Sequence, residues 1–281
     1  MLIQKEEKDN IITLANYIKS LYGKDEHLYY HDGNLENGLN DGSYRYSGGY
    51  SEVNNYVCFG SDDEVCSEDN LYQIIGVFDN NVKLLGMRTS SGLWDENGSN
   101  NWSESTLNRN ILNGTYLNDL GEEWVNKISD MVWQVGGITE EQIQNIPKVV
   151  YDYELGNNIN EKVDYKAKIG LMYISDYSYA ASPKMWQTNL NNIDYGYFND
   201  MNWIYPSYYA SSHTITPVYN ENDKVFGVDF DGPQSSILMS GSLIAHKANY
   251  LILQIFPAFY LNSNVKYLSG EGTSGSPFRI D

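Results

Sequence analysis

Positive charge is scarce in this chain. Lys and Arg number 18 against 37 Asp and Glu, a net charge of −19 over 281 residues. Nucleic acids and anionic membrane surfaces are held by Lys and Arg that replace counterions, so neither is expected as a partner. Long apolar runs are missing as well. The longest, Tyr250–Leu261, contains Gln254 and Pro257 and falls short of the roughly 18 residues that a membrane-spanning helix needs. No export leader is visible, because Met1 runs straight into Lys5-Glu6-Glu7-Lys8-Asp9; the chain reads as leaderless or as lacking its export segment. Histidine is limited to His27, His31, His213 and His246, and cysteine to Cys58 and Cys66. HExxH, CxxC, a phosphate loop, a dinucleotide fingerprint and a GxSxG elbow are all absent, so none of these chemistries has its sequence signature here.

The residues present in excess are Tyr (25 of them), Asn, Ser, Gly and Asp. That mixture resembles binding surfaces, where Tyr supplies rigid contact area and the small polar residues supply adaptable hydrogen bonds. The codon bias of an AT-rich genome would enrich Asn and Tyr equally well. The length suits one large domain or two small ones.

Ile11, Leu14, Ile18 and Leu21 fall at helical spacing, which predicts a helix over 10–22 ending at Gly23. Residues 24–49, rich in Gly, Asn, Asp and Tyr, read as an irregular arm. A hairpin is expected from Leu71–Phe78 and Val82–Arg88 around Asp79-Asn80-Asn81, because Asp and Asn tolerate left-handed turns. Helices are expected over 103–113, capped by Ser103 with Leu107 and Ile111 on one face, and over 121–133, burying Trp124 and Ile128. Strands are expected over 168–175, 225–230, 236–239, 250–260, 265–268 and 278–280, with a long loop over 176–222. Strands toward both ends with short helices between them give an α+β class rather than a βαβ array.

Several motifs carry a resemblance. Tyr44-Arg45-Tyr46-Ser47-Gly48, Asn55-Tyr56-Val57-Cys58-Phe59-Gly60-Ser61 with Cys66, and Leu71–Phe78 resemble a bacterial surface-protein family common in low-GC Gram-positive gut bacteria, often found behind a pilin-like N-terminal helix. Asn101-Trp102-Ser103-Glu104-Ser105-Thr106-Leu107, Lys168–Tyr177 and Pro257-Ala258-Phe259-Tyr260-Leu261 match as well. Their order is similar to that of C-type-lectin-like domains such as the Fibrobacter major paralogous domain and the variable proteins of diversity-generating retroelements. The resemblance covers residues 10–281 and implies small antiparallel sheets with two short helices, a long binding-loop region and an N-terminal helix. It implies a helix and arm over 1–49 docked on a lectin-like domain over 50–281. It departs from the family pattern at His213-Thr214-Ile215 and Gln254-Ile255-Phe256-Pro257.

Cys58 and Cys66 flank the acidic stretch 60–64, where a thiolate would be a poor nucleophile and two sulfurs cannot complete a zinc site. A disulfide closing this loop, which places the chain in an oxidising compartment, is the preferred reading, with two reduced thiols as the alternative. The acidic clusters at 62–64 and 152–154 read as solvated surface. Asp229 and Asp231 are the pair best suited to Ca²⁺ through oxygen ligands, although neither they nor the other clusters have the spacing of a calcium loop. Between 186 and 219 the chain is dense in aromatics, of which Trp186 and Trp203 read as core. Tyr205, Tyr208, Tyr209, His213 and Tyr219 are the expected ligand-binding residues, with Asp229 and Asp231 as their polar complement.

The function expected is an extracellular or cell-surface module that binds a glycan or a protein, without catalysis and without a required cofactor. The alternatives are a pilus-like or surface-layer subunit, a retroelement-diversified binder, and a glycan hydrolase using two facing carboxylates.

Overall fold

The computed structural model describes residues 12–86, 90–190, 201–204, 211–229 and 242–281. Helices and mainly antiparallel sheets are mixed along the chain, an α+β arrangement. The main sheet runs in the order Leu28–Tyr30, Tyr44–Tyr46, Leu71–Phe78, Asn81–Leu85, Ala258–Tyr260, Ile169–Gly170, and Tyr56–Cys58 also pairs with Leu71–Phe78. At its centre is the hairpin of Leu71–Phe78 with Asn81–Leu85. Its turn contains Asp79 at φ 53°, a left-handed conformation that a short polar side chain tolerates. Residues 72–77, apolar except for Gln73, are all buried, as expected of a strand covered on both faces. Gly76 is required there, because a Cβ would lie 2.2 Å from the Tyr44 carbonyl oxygen of the neighbouring strand.

The second sheet runs Leu243–Lys247, Lys224–Val228, Ser212–Pro217, Leu253–Ile255, Ser90–Gly92. Its pairs are antiparallel except Ser212–Pro217 with Leu253–Ile255. The single strand expected over 250–260 is thus two short strands, one in each sheet, broken at Phe256-Pro257. Proline has no N–H to donate and cannot continue the ladder. Its carbonyl instead accepts from Gly86 N at 2.7 Å, which ties the break to the main sheet.

Other expectations are corrected by tertiary pairing. Residues 24–49 supply Leu28–Tyr30 and Tyr44–Tyr46, antiparallel to one another. The helix expected over 121–133 is only Glu122–Val125, and Met131–Gln134 then pairs with Asp164–Ala167. The alternation there is of period two, with Val132 exposed and Trp133 buried. The strand expected over 168–175 is reduced to Ile169–Gly170, and the loop expected from 176 begins with the buried helix Ile174–Ala180. In the 103–113 region a short turn, Trp102–Glu104, is capped by Asn101 rather than Ser103, and Leu107–Tyr116 follows as a wide π-type helix. A wider turn pairs Leu107 with Leu112 on the buried face, not with Ile111, which is half-exposed. The strand expected over 225–230 is Lys224–Val228, and residues 236–239 lie outside the described residues.

Near the N-terminus the helix Leu14–Leu21 is capped by Thr13, whose Oγ1 accepts from Asn16 N, and it buries Leu14, Ala15 and Ile18. This helix meets the C-terminal stretch, where Leu14 N donates to Val265 O at 2.9 Å and Tyr267–Ser269 pairs with Arg279–Ile280. Cys58 and Cys66 form a disulfide, with Cα atoms 5.8 Å apart, around the exposed acids Asp62, Asp63 and Glu64. All six tryptophans are buried, Trp186 and Trp203 completely. Large aromatics therefore do here what Leu and Ile do in most cores. Among the described residues, no helix is long and apolar enough to cross a membrane.

Candidate functional site

A buried charge cluster joins the helix Ile174–Ala180 to the main sheet. Asp176 accepts from Lys83 Nζ at 2.5 Å and from an Arg45 guanidinium nitrogen at 3.5 Å, and all three side chains are buried. Arg45 also donates to Asp41 at 2.9 Å, so two cations face two carboxylates. Rings of Tyr173, Tyr260 and Trp133 stand 4.6, 5.1 and 5.2 Å from Lys83 Nζ and exclude water around it. His31 lies at the edge of the cluster. Burial, and then the Arg45 cation, lower its pKa from 6.5 to about 3, against an opposing pull from Asp41.

Glu154 is buried as well, which corrects the reading of 152–154 as a solvated cluster. Burial raises its pKa, offset in part by its hydrogen bonds. Its carboxylate accepts from the backbone N–H of Ile174 and Ser175, at 3.0 and 2.9 Å, and from the Thr216 hydroxyl. With both oxygens engaged, Glu154 stitches a helix start to the second sheet. The carboxylates are enclosed by their own partners, whereas His31 keeps a buried Nε2 with no partner among the described residues. The positions of these groups, between residues 31 and 216, are too scattered for any spacing rule to have gathered them.

An open cleft of about 380 Å³ lies at the end of the strand Ser212–Pro217. Three pieces of chain form its walls: Asn100–Trp102, Val135–Gly136 with Glu161 and Val163, and Pro217–Asn222. Asn100 fixes the third wall, its amide Nδ2 donating to the carbonyls of Val218, Glu221 and Lys224 at 3.2, 2.7 and 3.1 Å. Gln134 fixes the second. Its Oε1 accepts from Gly136 N and Val163 N, and its Nε2 donates to Glu161 O. Gly136 allows this approach, since a Cβ there would lie 1.9 Å from the Glu161 carbonyl oxygen. Four other buried indoles, those of Trp94, Trp133, Trp186 and Trp203, donate to backbone carbonyls. Trp102, at the cleft, keeps a buried Nε1–H with no partner among the described residues.

Tyr219 lines this cleft, half-buried. His213 and Asp229 do not. His213 lies six positions before Tyr219, near the other end of the strand Ser212–Pro217 and at most about 20 Å away at 3.3 Å per residue. There Asp229 accepts from the Ser211 hydroxyl at 2.9 Å, and Asp229 N donates to Ser242 O at 2.8 Å. His213 is buried within the sheet rather than presented to solvent. Tyr205, Tyr208, Tyr209 and Asp231 lie outside the described residues. Sequence reasoning missed Trp102, Asn100 and Gln134. The only available signal was the polar run Asn97–Asn101 before a tryptophan, which also reads as an ordinary loop.

Among the described residues no group of three or more His, Cys, Asp or Glu side chains is arranged to hold a metal ion. Comparison of the chain with protein-family models, curated proteins and solved structures returns no match.

Proposed function

We propose that the protein is a C-type-lectin-like ligand-binding module that works outside the reducing cytoplasm, at a cell surface, without catalysis. The cleft at Tyr219 carries the reading. Its walls are held by backbone-directed Asn and Gln side chains, so the polar groups it offers are fixed before a ligand arrives. A half-buried Tyr219 among Asn and backbone polar groups offers a ring face and hydrogen-bonding partners, the pairing that suits a neutral sugar or a polar peptide. Glu161 and Glu221 at the walls, within a chain of net charge −19, disfavour an anionic ligand. The disulfide supports the compartment, because such bonds persist where thiols are not kept reduced.

The test is a glycan and protein array probed with the full chain, followed by titration of a hit against Tyr219→Ala. Losing a Tyr at a binding centre costs about 2 kcal/mol, roughly thirty-fold in affinity. Unchanged affinity in a variant that melts with wild type would move the site away from this cleft.

A further inference from the structure

Two histidines sit together on one face of the second sheet, far from the cleft. His213 pairs in register with Gly227, and His246 pairs with Val225, two residues before it. Side chains two residues apart on a strand share a face. Both rings therefore lie over Gly227, with ring centres 5.5 Å apart. Only glycine fits beneath them: a Cβ built at Gly227 would meet Ser212 O at 2.9 Å, Leu253 Cδ1 at 3.0 Å and His246 Nε2 at 3.2 Å.

Backbone carbonyls set the tautomers of both rings. His213 Nε2 lies 2.9 Å from Gly92 O, and His246 Nδ1 lies 3.0 Å from Lys247 O. A carbonyl oxygen only accepts, so each of these nitrogens carries the proton. The other nitrogens, His213 Nδ1 and His246 Nε2, then hold lone pairs. Both are buried and neither has a partner among the described residues. His213 is only 1% exposed and His246 7%. Two lone pairs cannot satisfy each other, and an unmatched buried acceptor costs about 1–3 kcal/mol.

We infer that His213 Nδ1 and His246 Nε2 bind one first-row divalent transition-metal ion, of the zinc–copper type. Neutral imidazole is a ligand these ions favour, and an imidazole N–H fixed by a carbonyl is the usual support behind a metal-bound histidine. The spacing agrees. With metal–nitrogen bonds of about 2.0–2.1 Å at a tetrahedral angle, two imidazole centres stand roughly 5 Å apart. Two protein ligands leave the remaining positions to water molecules enclosed with the ion. Asp229, just past the end of that strand, adds negative charge on that side.

The experiment loads the full-length, disulfide-intact protein with Zn²⁺ and measures uptake by equilibrium dialysis. Cu²⁺ loading followed by electron paramagnetic resonance then counts coordinated nitrogens. One ion per chain with two nitrogen couplings is expected. His246→Gln and His213→Gln should each weaken Zn²⁺ binding by at least the ~10–100-fold that loss of a mere supporting partner costs. His27→Gln should leave it unchanged. The less buried His246 is the variant to rely on if His213→Gln does not fold. No stoichiometric uptake by wild type would overturn the inference, leaving a water molecule that donates to both lone pairs. So would uptake that a folded His246→Gln retains in full.

Discussion

Replacing Asp176 by Asn keeps the shape of the side chain and removes one negative charge from the interior. Among the described residues Asp176 is the only carboxylate paired with both Lys83 and Arg45, and Asp41 reaches Arg45 alone. In Asp176→Asn, Lys83 keeps its burial and its surrounding rings but loses its counter-ion, and the amide nitrogen competes for the position the cation occupies. Breaking a buried pair from one side costs about 3–5 kcal/mol, because the surviving charge stays desolvated. For a chain of this size that corresponds to a fall in Tm of roughly 10 °C. Urea unfolding followed by tryptophan fluorescence suits the measurement, since all six indoles are buried and report on the core. The double variant Lys83→Met/Asp176→Leu removes both charges and leaves Arg45 with Asp41. It should recover a large part of the loss, because well-packed apolar groups often replace a buried pair at little cost. A single variant within 1 kcal/mol of wild type, or a double variant equal to the sum of its singles, would refute the ion-pair account.

Two further outcomes follow from named groups. His31 is held neutral, with a pKa of about 3 in the fold against 6.5 ordinarily, so the unfolded chain takes up its proton first. Stability therefore rises with pH between about 3 and 6.5, by ~1.4 kcal/mol per pH unit for that proton. In His31→Asn the amide oxygen can replace Nδ1 as acceptor for Leu39 N–H, and the slope of urea midpoints in that window should shrink by one proton's worth; an unaltered slope would discount His31. Cys58 and Cys66 are eight residues apart, and the loop-closure relation assigns such a short loop about 2.5 kcal/mol; Cys58→Ser/Cys66→Ser should lose that much, and thiol titration of denatured, unreduced wild type should find no free thiol.

The class of the fold was legible in the sequence, and so was its central hairpin. The run Leu71–Phe78 is apolar apart from Gln73 and is followed by turn residues, a local signal that the tertiary structure leaves intact. The cysteine pair was legible for a similar reason, since a short acidic loop between two sulfurs leaves few uses for them. What failed was the choice between periods two and four in short apolar runs. Trp124, Ile128 and Val132 fit a helix on paper, but Asp164–Ala167 supplies a strand partner that turns Val132 outward. The candidate cleft was legible only at Tyr219. Trp102 and Asn100 reach it from more than a hundred positions earlier, and nothing local in a chain so rich in Asn separates a clamp from a loop. His213 was singled out as a ligand-binding residue, whereas its side chain is buried in the paired strand Ser212–Pro217.

The break at Phe256-Pro257 has a kinetic consequence. One short piece of chain completes both sheets, so neither sheet can close until residues near the end of the sequence arrive. Asn81 Nδ2 donates to Leu261 O across 180 positions, whereas the hairpin beside it needs only a two-residue turn. Contacts so distant in sequence must overcome a large loop-closure entropy before they return any stabilisation. The hairpin is then the early event and docking of residues 253–261 the late one. A chain paused before that step exposes unpaired edges on two sheets at once, the species most prone to associate with its own copies.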